Sequence, residues 1–200
     1  MLYCIFDTVL GDVVLESLDV WSLSKLLPSF YEKYNCMTQS IYKILNNKDK
    51  REWKDMSKIA LPEMIFRKFP DRVDWESISY YQQLSEEFVR EFRNRVNWVL
   101  ISYKQKLSED FIREFQYMVN WKWISCEQNL SESFIREFRN RVDWERISYK
   151  QKLSEDFIRE FRDRVHWYDI YANQHLSDEF IREFRERIQT DFYERARFIW

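Results

Sequence analysis

Along most of this chain the apolar residues return at a fixed 23-residue step. Trp75, Trp98, Trp121, Trp144 and Trp167 keep that step, and so do Leu84, Leu107, Leu130, Leu153 and Leu176. The unit reads Asp/Asn-Trp-x-x-Ile-Ser-x-x-Gln-x-Leu-Ser-Glu-x-Phe-Ile-Arg-Glu-Phe-Arg-x-Arg-Val, and its copies run from 74–96 to 166–188, the last opening on His166. Within a unit the spacing predicts two short helices. Trp75, Ile78, Ser79 and Gln82 fall at i, i+3, i+4 and i+7, one stripe of a first helix, and Phe88, Val89, Phe92 and Val96 form the stripe of a second. Asp74 and Ser85 stand as N-caps, whose side-chain oxygens can accept orphan amides of the opening turns. Val73 with Ile78 and Leu84 with Val89 are placed as hydrophobic staples.

A single 23-residue unit has too few apolar side chains to offset the entropy of ordering it, so the units must stack. The expected fold is all-α: a right-handed or near-linear α-solenoid of short two-helix repeats, with indole and phenyl rings of neighbouring units interlocked and a small helical N-terminal head. Residues 51–73 read as a degenerate first repeat through Trp53, Met56, Leu61, Ile65, Phe69 and Val73. Its second helix is expected to end near Pro70, which lacks an N–H and restricts Phe69. After Ile188, Gln189 and Thr190 break the pattern, and a capping helix is expected within 189–200, from about Asp191. The head spans 1–50, with two short helices between Asp12 and Leu27 and a charged junction at 46–54.

Composition narrows the function. The 32 basic and 34 acidic residues leave a net charge of −2, against the basic excess of most nucleic-acid binders. No apolar run is long enough to span a membrane, and the first residues do not read as a secretory signal. Cys4, Cys36 and Cys126 are odd in number and irregularly spaced, which suits a reduced intracellular chain. One glycine, Gly11, leaves little for phosphate-cradling loops.

The candidates for catalysis are sparse. His166 and His175 sit at positions that other copies fill with unrelated residues, and no His/Cys/Asp cluster has metal-ligand spacing. No cofactor or enzymatic activity is expected. Acid–arginine pairs at i,i+4 (Glu86–Arg90, Glu109–Arg113, Glu132–Arg136, Glu155–Arg159, Asp178–Arg182) read as a solvated helix face. Gln82, Gln105, Gln128, Gln151 and Gln174 are polar on an apolar stripe. They read as an internal amide ladder for turn backbone groups, or alternatively as a ligand-facing row.

Recognition is expected where exposed positions vary between copies. Val99, Leu100 and Trp123 are apolar where polar residues belong, and Gln116-Tyr117-Met118 replaces the usual Arg-x-Arg. With Tyr103, Lys122 and Tyr168 they form the candidate partner-binding set, Val99, Leu100, Tyr103, Tyr117, Met118, Lys122, Trp123 and Tyr168. The competing reading is that these side chains are half-covered by adjacent helices.

The unit as it stands at 143–165, DWERISYKQKLSEDFIREFRDRV, resembles a repeat found in proteins of giant nucleocytoplasmic DNA viruses. The resemblance covers about 74–188 and implies origin more than activity. The N-terminal segment resembles an F-box through Leu10, Asp12, Val13, Leu15, Leu18, Leu23 and Leu26. It departs from that motif in reading Leu10-Gly11 for the usual Leu-Pro start and in being about three residues short between Leu15 and Leu18. The resemblance implies docking to a Skp-family adaptor of cullin ubiquitin ligases. The leading expectation is a non-enzymatic protein-interaction scaffold, a viral substrate adaptor for a host ubiquitin ligase, placed in the host cytoplasm. The alternatives are a structural, self-assembling virion component and, ranked last, a nucleic-acid-binding helical array.

Overall fold

A computed structural model describes residues 45–197, with side chains through 193. The F-box-like positions and the paired helices expected between Asp12 and Leu27 lie outside the described residues. The chain divides into two compact units, Met1–Ile101 and Ser102–Trp200. Among the described residues every regular element is a helix, and helix pairs follow one another in order within each unit, as in an α-solenoid.

In the first unit, α1 (Lys50–Met56) and α2 (Glu63–Lys68) form the degenerate repeat, followed by α3 (Trp75–Tyr81) and α4 (Glu86–Glu91). The helix α5 (Trp98–Lys104) spans the division between the units. The second unit continues with α6 (Glu109–Glu114), α7 (Trp121–Glu127), α8 (Glu132–Glu137), α9 (Trp144–Lys150), α10 (Glu155–Glu160), α11 (Trp167–Asn173) and α12 (Asp178–Glu183). It closes with α13 (Arg185–Arg197). First helices pack on successive first helices, α7 on α9 and α9 on α11, and α13 then takes the next place against α11.

The caps follow the sequence closely. Ser85, Ser108, Ser131, Ser154 and Ser177 each accept the N–H of the phenylalanine three residues on, at 3.2 Å. Asn120 and Asp143 cap the N–H groups of Trp123 and Arg146 in the same manner. Asp74 does not: its carboxylate accepts the Ser77 hydroxyl at 2.6 Å instead. The charged stretch expected as a junction holds the start of α1. Asp49 and Glu52 form a reciprocal capping box there, each side chain accepting the other's backbone N–H.

Second helices are shorter than the expected stripe. They end at Glu91 and its equivalents, and Val96 is carried by a turn in which its N–H meets the Phe92 carbonyl at 3.1 Å. Pro70 therefore does not cut its helix short, since every copy ends at that register. The carbonyl exposed in the turn receives two donors, one for each lone pair. Trp121 Nε1 and Arg141 reach Gln116 O, Trp144 Nε1 and Arg164 reach Arg139 O, and Trp75 Nε1 and Arg95 reach Pro70 O. Trp75, Trp98, Trp121 and Trp144 are half-buried, while Trp53 and Trp167 are buried; Trp167 makes the same indole bond, to Arg162 O at 3.1 Å.

Ile78, Phe88 and Val89 are fully enclosed, as are their counterparts down the array except Ile181 on α12, which is half-buried. The aromatic contacts also differ from expectation. The recurring tryptophan–phenylalanine cluster lies inside one repeat: Trp121 packs 4.9 Å from Phe138 and 6.3 Å from Phe134, which are themselves 4.7 Å apart, and Trp144 repeats this with Phe161 and Phe157. Rings also meet between repeats, as at Phe66 and Phe88, 6.2 Å apart.

Polar side chains aimed at the neighbour's backbone join one repeat to the next. Gln151 Nε2 donates to Ser125 O and Gln128 O at 3.1 and 2.8 Å, and its Oε1 accepts the N–H of Leu130 at 3.1 Å. Gln82, Gln128 and Gln174 make the same three bonds one repeat back, which establishes the amide ladder for these residues. A buried serine works in the other direction. Ser125 donates to Trp121 O and accepts the N–H of Asp143, and Ser148 likewise serves Trp144 O and His166 N.

The last helix begins earlier than expected, at Arg185 rather than near Asp191. No Asp-Trp pair follows Ile188 to stop the chain and start a new helix, so it runs on helically past the position where other copies turn.

Replacing Gln151 with leucine removes the partners of two carbonyls and one N–H in a buried site. At about 1–3 kcal/mol per unmet group, Gln151→Leu should lower stability by about 3 kcal/mol or more in urea unfolding. A loss under about 1 kcal/mol would show that the ladder is dispensable.

Candidate functional site

The candidate partner-binding residues fall into two sets. Val99, on α5, is 46% exposed, Tyr117 83% and Met118 38%, and Lys122 is exposed on α7. Leu100, Tyr103, Trp123 and Tyr168 are only half-exposed. Trp123 lies against Tyr103 with ring centroids 4.5 Å apart, so it does not stand free in solvent. The reason is its register. Ser77, Leu100, Trp123, Arg146 and Asp169 share one position on the first helices, and there every one is at least half-covered, Ser77 and Asp169 fully.

Tyr168 is not a free recognition residue. Its backbone N–H donates to Asp191 at 3.0 Å and its ring lies 4.8 Å from Phe192, so it docks the closing helix. Tyr171, standing where other copies carry the buried serine, also meets Phe192. Tyr117 occupies the turn position held elsewhere by Asp71, Asn140 and Asp163. In place of a carboxylate or amide it offers its ring, and the Arg141 guanidinium lies 4.3 Å from the ring centroid. Met118 replaces the turn arginine and brings no donor.

The arginine pairs are more than a solvated face. Arg113, Arg136 and Arg159 do approach Glu109, Glu132 and Glu155 of their own helices, at 3.6 Å, but their shorter bonds cross to the next repeat. Arg113 reaches Glu137 at 2.8 Å, Arg136 reaches Glu160 at 2.6 Å and Arg159 reaches Glu183 at 3.0 Å. Those bonds hold the Arg113 and Arg159 guanidinium groups protonated more firmly than usual. The intrahelical glutamates cross over too: Glu109, Glu132 and Glu155 accept the N–H of Ser131, Ser154 and Ser177. The fifth expected pair is absent. Asp178 is one methylene shorter than glutamate, and Arg182 donates instead to the Asp178 carbonyl at 3.1 Å.

Of the groups considered for chemistry, His175 is exposed. His166 takes the N-cap register of α11, with Nδ1 3.5 Å from a carboxylate oxygen of buried Asp169. Cys126 is a half-buried free thiol whose pKa is raised by burial. Among the described residues, no three or more His, Cys, Asp or Glu side chains are grouped to hold a metal ion, and no helix is long and apolar enough to cross a membrane.

These features define a class, an α-solenoid of two-helix repeats with a constant bonded framework and a variable outer surface. Comparison with protein-family models, with curated proteins and with solved structures finds no match.

The carboxylate bonds carry a pH dependence. The backbone and hydroxyl of Ser177 hold the Glu155 carboxyl below its ordinary value, and the Asp49 N–H followed by Lys48 does the same for Glu52. A folded pKa below the unfolded one stabilises fully above the unfolded value, near 4.3, and is lost as pH falls through the folded value. The urea midpoint should therefore hold steady from about pH 7 to 5 and drop below about pH 4. Glu155→Gln with Glu52→Gln should shallow that drop. A midpoint that rises on acidification would contradict the assignment.

Proposed function

We propose that this chain is a non-enzymatic protein-interaction scaffold, and that it serves as a viral adaptor presenting a bound protein to a host ubiquitin ligase in the host cytoplasm. One observation carries the scaffold reading. The residues that recur are consumed by bonds to the backbone of the adjacent repeat, as in the contacts of Gln151 and Ser125. Backbone bonds do not depend on the neighbour's side chains, so the exposed variable positions can change without loosening the stack. Val99, Tyr117, Met118 and Lys122 are exposed members of that variable group and are the side chains a partner would meet.

The ubiquitin-ligase part rests on the F-box-like positions Leu10 to Leu26 and on the division of labour they imply, an adaptor-docking head followed by a substrate-presenting repeat array.

Affinity capture from host lysate tests it. The full chain should recover a Skp-family adaptor together with a cullin. Leu23→Asp with Leu26→Asp should lose both while leaving the array's circular dichroism unchanged. Failure to recover the adaptor, under conditions that retain a known F-box control, removes the ligase assignment.

A further inference from the structure

One face of the second helices recurs down the array, and among the described residues no helix follows α12 in that row. Within the units, Arg67, Arg113, Arg136 and Arg159 of this face each hold two groups of the following second helix, three residues apart. Arg113 sets its guanidinium 5.0 Å from the centre of the Phe134 ring and bonds Glu137 at 2.8 Å. Arg136 does the same with Phe157 at 4.9 Å and Glu160 at 2.6 Å, and Arg159 with Phe180 at 4.9 Å and Glu183 at 3.0 Å. In the first unit Arg67 serves Phe88 and Glu91 likewise, at 5.0 and 2.6 Å. The repeated contact is thus an arginine reading Phe-x-x-Glu on a helix, by ring face and carboxylate together.

Arg182 is the equivalent residue of α12. It is exposed, its Nε donates to the carbonyl of Asp178, and among the described residues it has no carboxylate partner. The closing helix α13 packs against α11, in the first-helix row, and so continues that row and not the second-helix row. Beside Arg182 lies an open groove of about 660 Å³. Arg159, Arg162, Arg182 and Arg185 line it against Glu183 and Glu186, a local excess of positive charge in a chain whose net charge is −2.

We propose that this end of the array is a docking site for a helical segment of a protein partner carrying Phe-x-x-Glu. Its ring and carboxylate take the places on Arg182 that the next repeat's phenylalanine and glutamate take on Arg113, Arg136 and Arg159. A second copy of this chain stacked end to end is a poor occupant. At the matching positions α2 carries Ile65 and Lys68, so stacking would bring an ammonium toward Arg182 in place of a carboxylate. The proposal extends the scaffold reading by naming a motif, and rests on it only in taking the ligand to be protein.

The test is fluorescence anisotropy of a labelled peptide copying residues 130–142, held helical by a side-chain lactam, titrated with the full-length chain. Saturable binding is expected. Arg182→Glu should weaken it at least tenfold with unchanged circular dichroism, and a peptide carrying Glu137→Arg should bind the Arg182→Glu protein better than the wild type. A Phe134→Ala peptide should also bind more weakly, because the ring is half of the motif. Absence of binding at millimolar protein, equal binding by Arg182→Glu, or displacement by a short oligothymidylate at matched ionic strength would each overturn the proposal, the last by showing a general polyanion groove. The titration uses no ligase component, so its failure and a failure to capture the Skp-family adaptor are separate results.

Discussion

The structure depends first on a buried side-chain amide. Gln82, Gln128, Gln151 and Gln174, each following a first helix, carry their amide one repeat back, where it meets two carbonyls and one N–H at the end of the preceding first helix and in the link after it. Gln151, bonded to Ser125 O, Gln128 O and Leu130 N, shows the geometry. A link of this kind cannot satisfy its own backbone, because it is too short to be helical and has no strand beside it. Buried unpaired, those groups would oppose stacking. The glutamine makes the adjacent repeat their only source of partners, so burial and stacking become one event. The buried serine adds a bond in the other direction, accepting the next N-cap amide, and the turn carbonyl shared by a tryptophan and an arginine adds a third.

This arrangement separates fold from recognition. Hydrophobic burial supplies the drive for packing, and the rings of Trp121, Phe134 and Phe138 gather within one repeat to make it a semi-rigid block. Directional bonds to backbone then set how blocks meet. The exposed ion pairs on the second helices contribute modestly each, about 0–1 kcal/mol, yet they give the face its chemical pattern of alternating arginine and glutamate. Where the array closes, the pattern changes in concert. Tyr171 replaces the serine that would have received another repeat, Asp178 shortens the acid, and α13 is held by Tyr168, Tyr171 and Asp191.

Much of this was legible from residue spacing. The 23-residue step, both helices of each repeat, the serine caps, the degenerate opening repeat and the glutamine ladder all follow from local pattern plus the rule that buried polar groups find partners. Contacts between residues roughly 20 to 26 apart were harder to read. Glu109 and Arg113 satisfy the intrahelical i,i+4 rule, and nothing local shows that their shorter bonds go to Ser131 and Glu137. Trp121 has the look of a core residue, but it is half-buried, with its N–H bonded to Gln116 O. The Asp49–Glu52 capping box was visible in the sequence and was masked by the charge of its surroundings. Of the candidate site, exposure at Val99, Tyr117, Met118 and Lys122 agrees with the variability argument. Trp123 and Tyr168 do not fit it, because a variable position on a stacked helix can vary to suit its neighbour as readily as a partner.

Amide hydrogen exchange at Leu130 and Leu153 tests the central claim most directly. Both N–H groups lie in links outside any helix and have a glutamine Oε1 of the next repeat as acceptor. If the amide clamp holds the repeats together, they should exchange as slowly as the core amides of Ile135 and Ile158, since opening them requires separating two repeats. Exchange near the rate of an unprotected peptide, with those helix amides still protected, would show that the repeats are held by apolar packing alone.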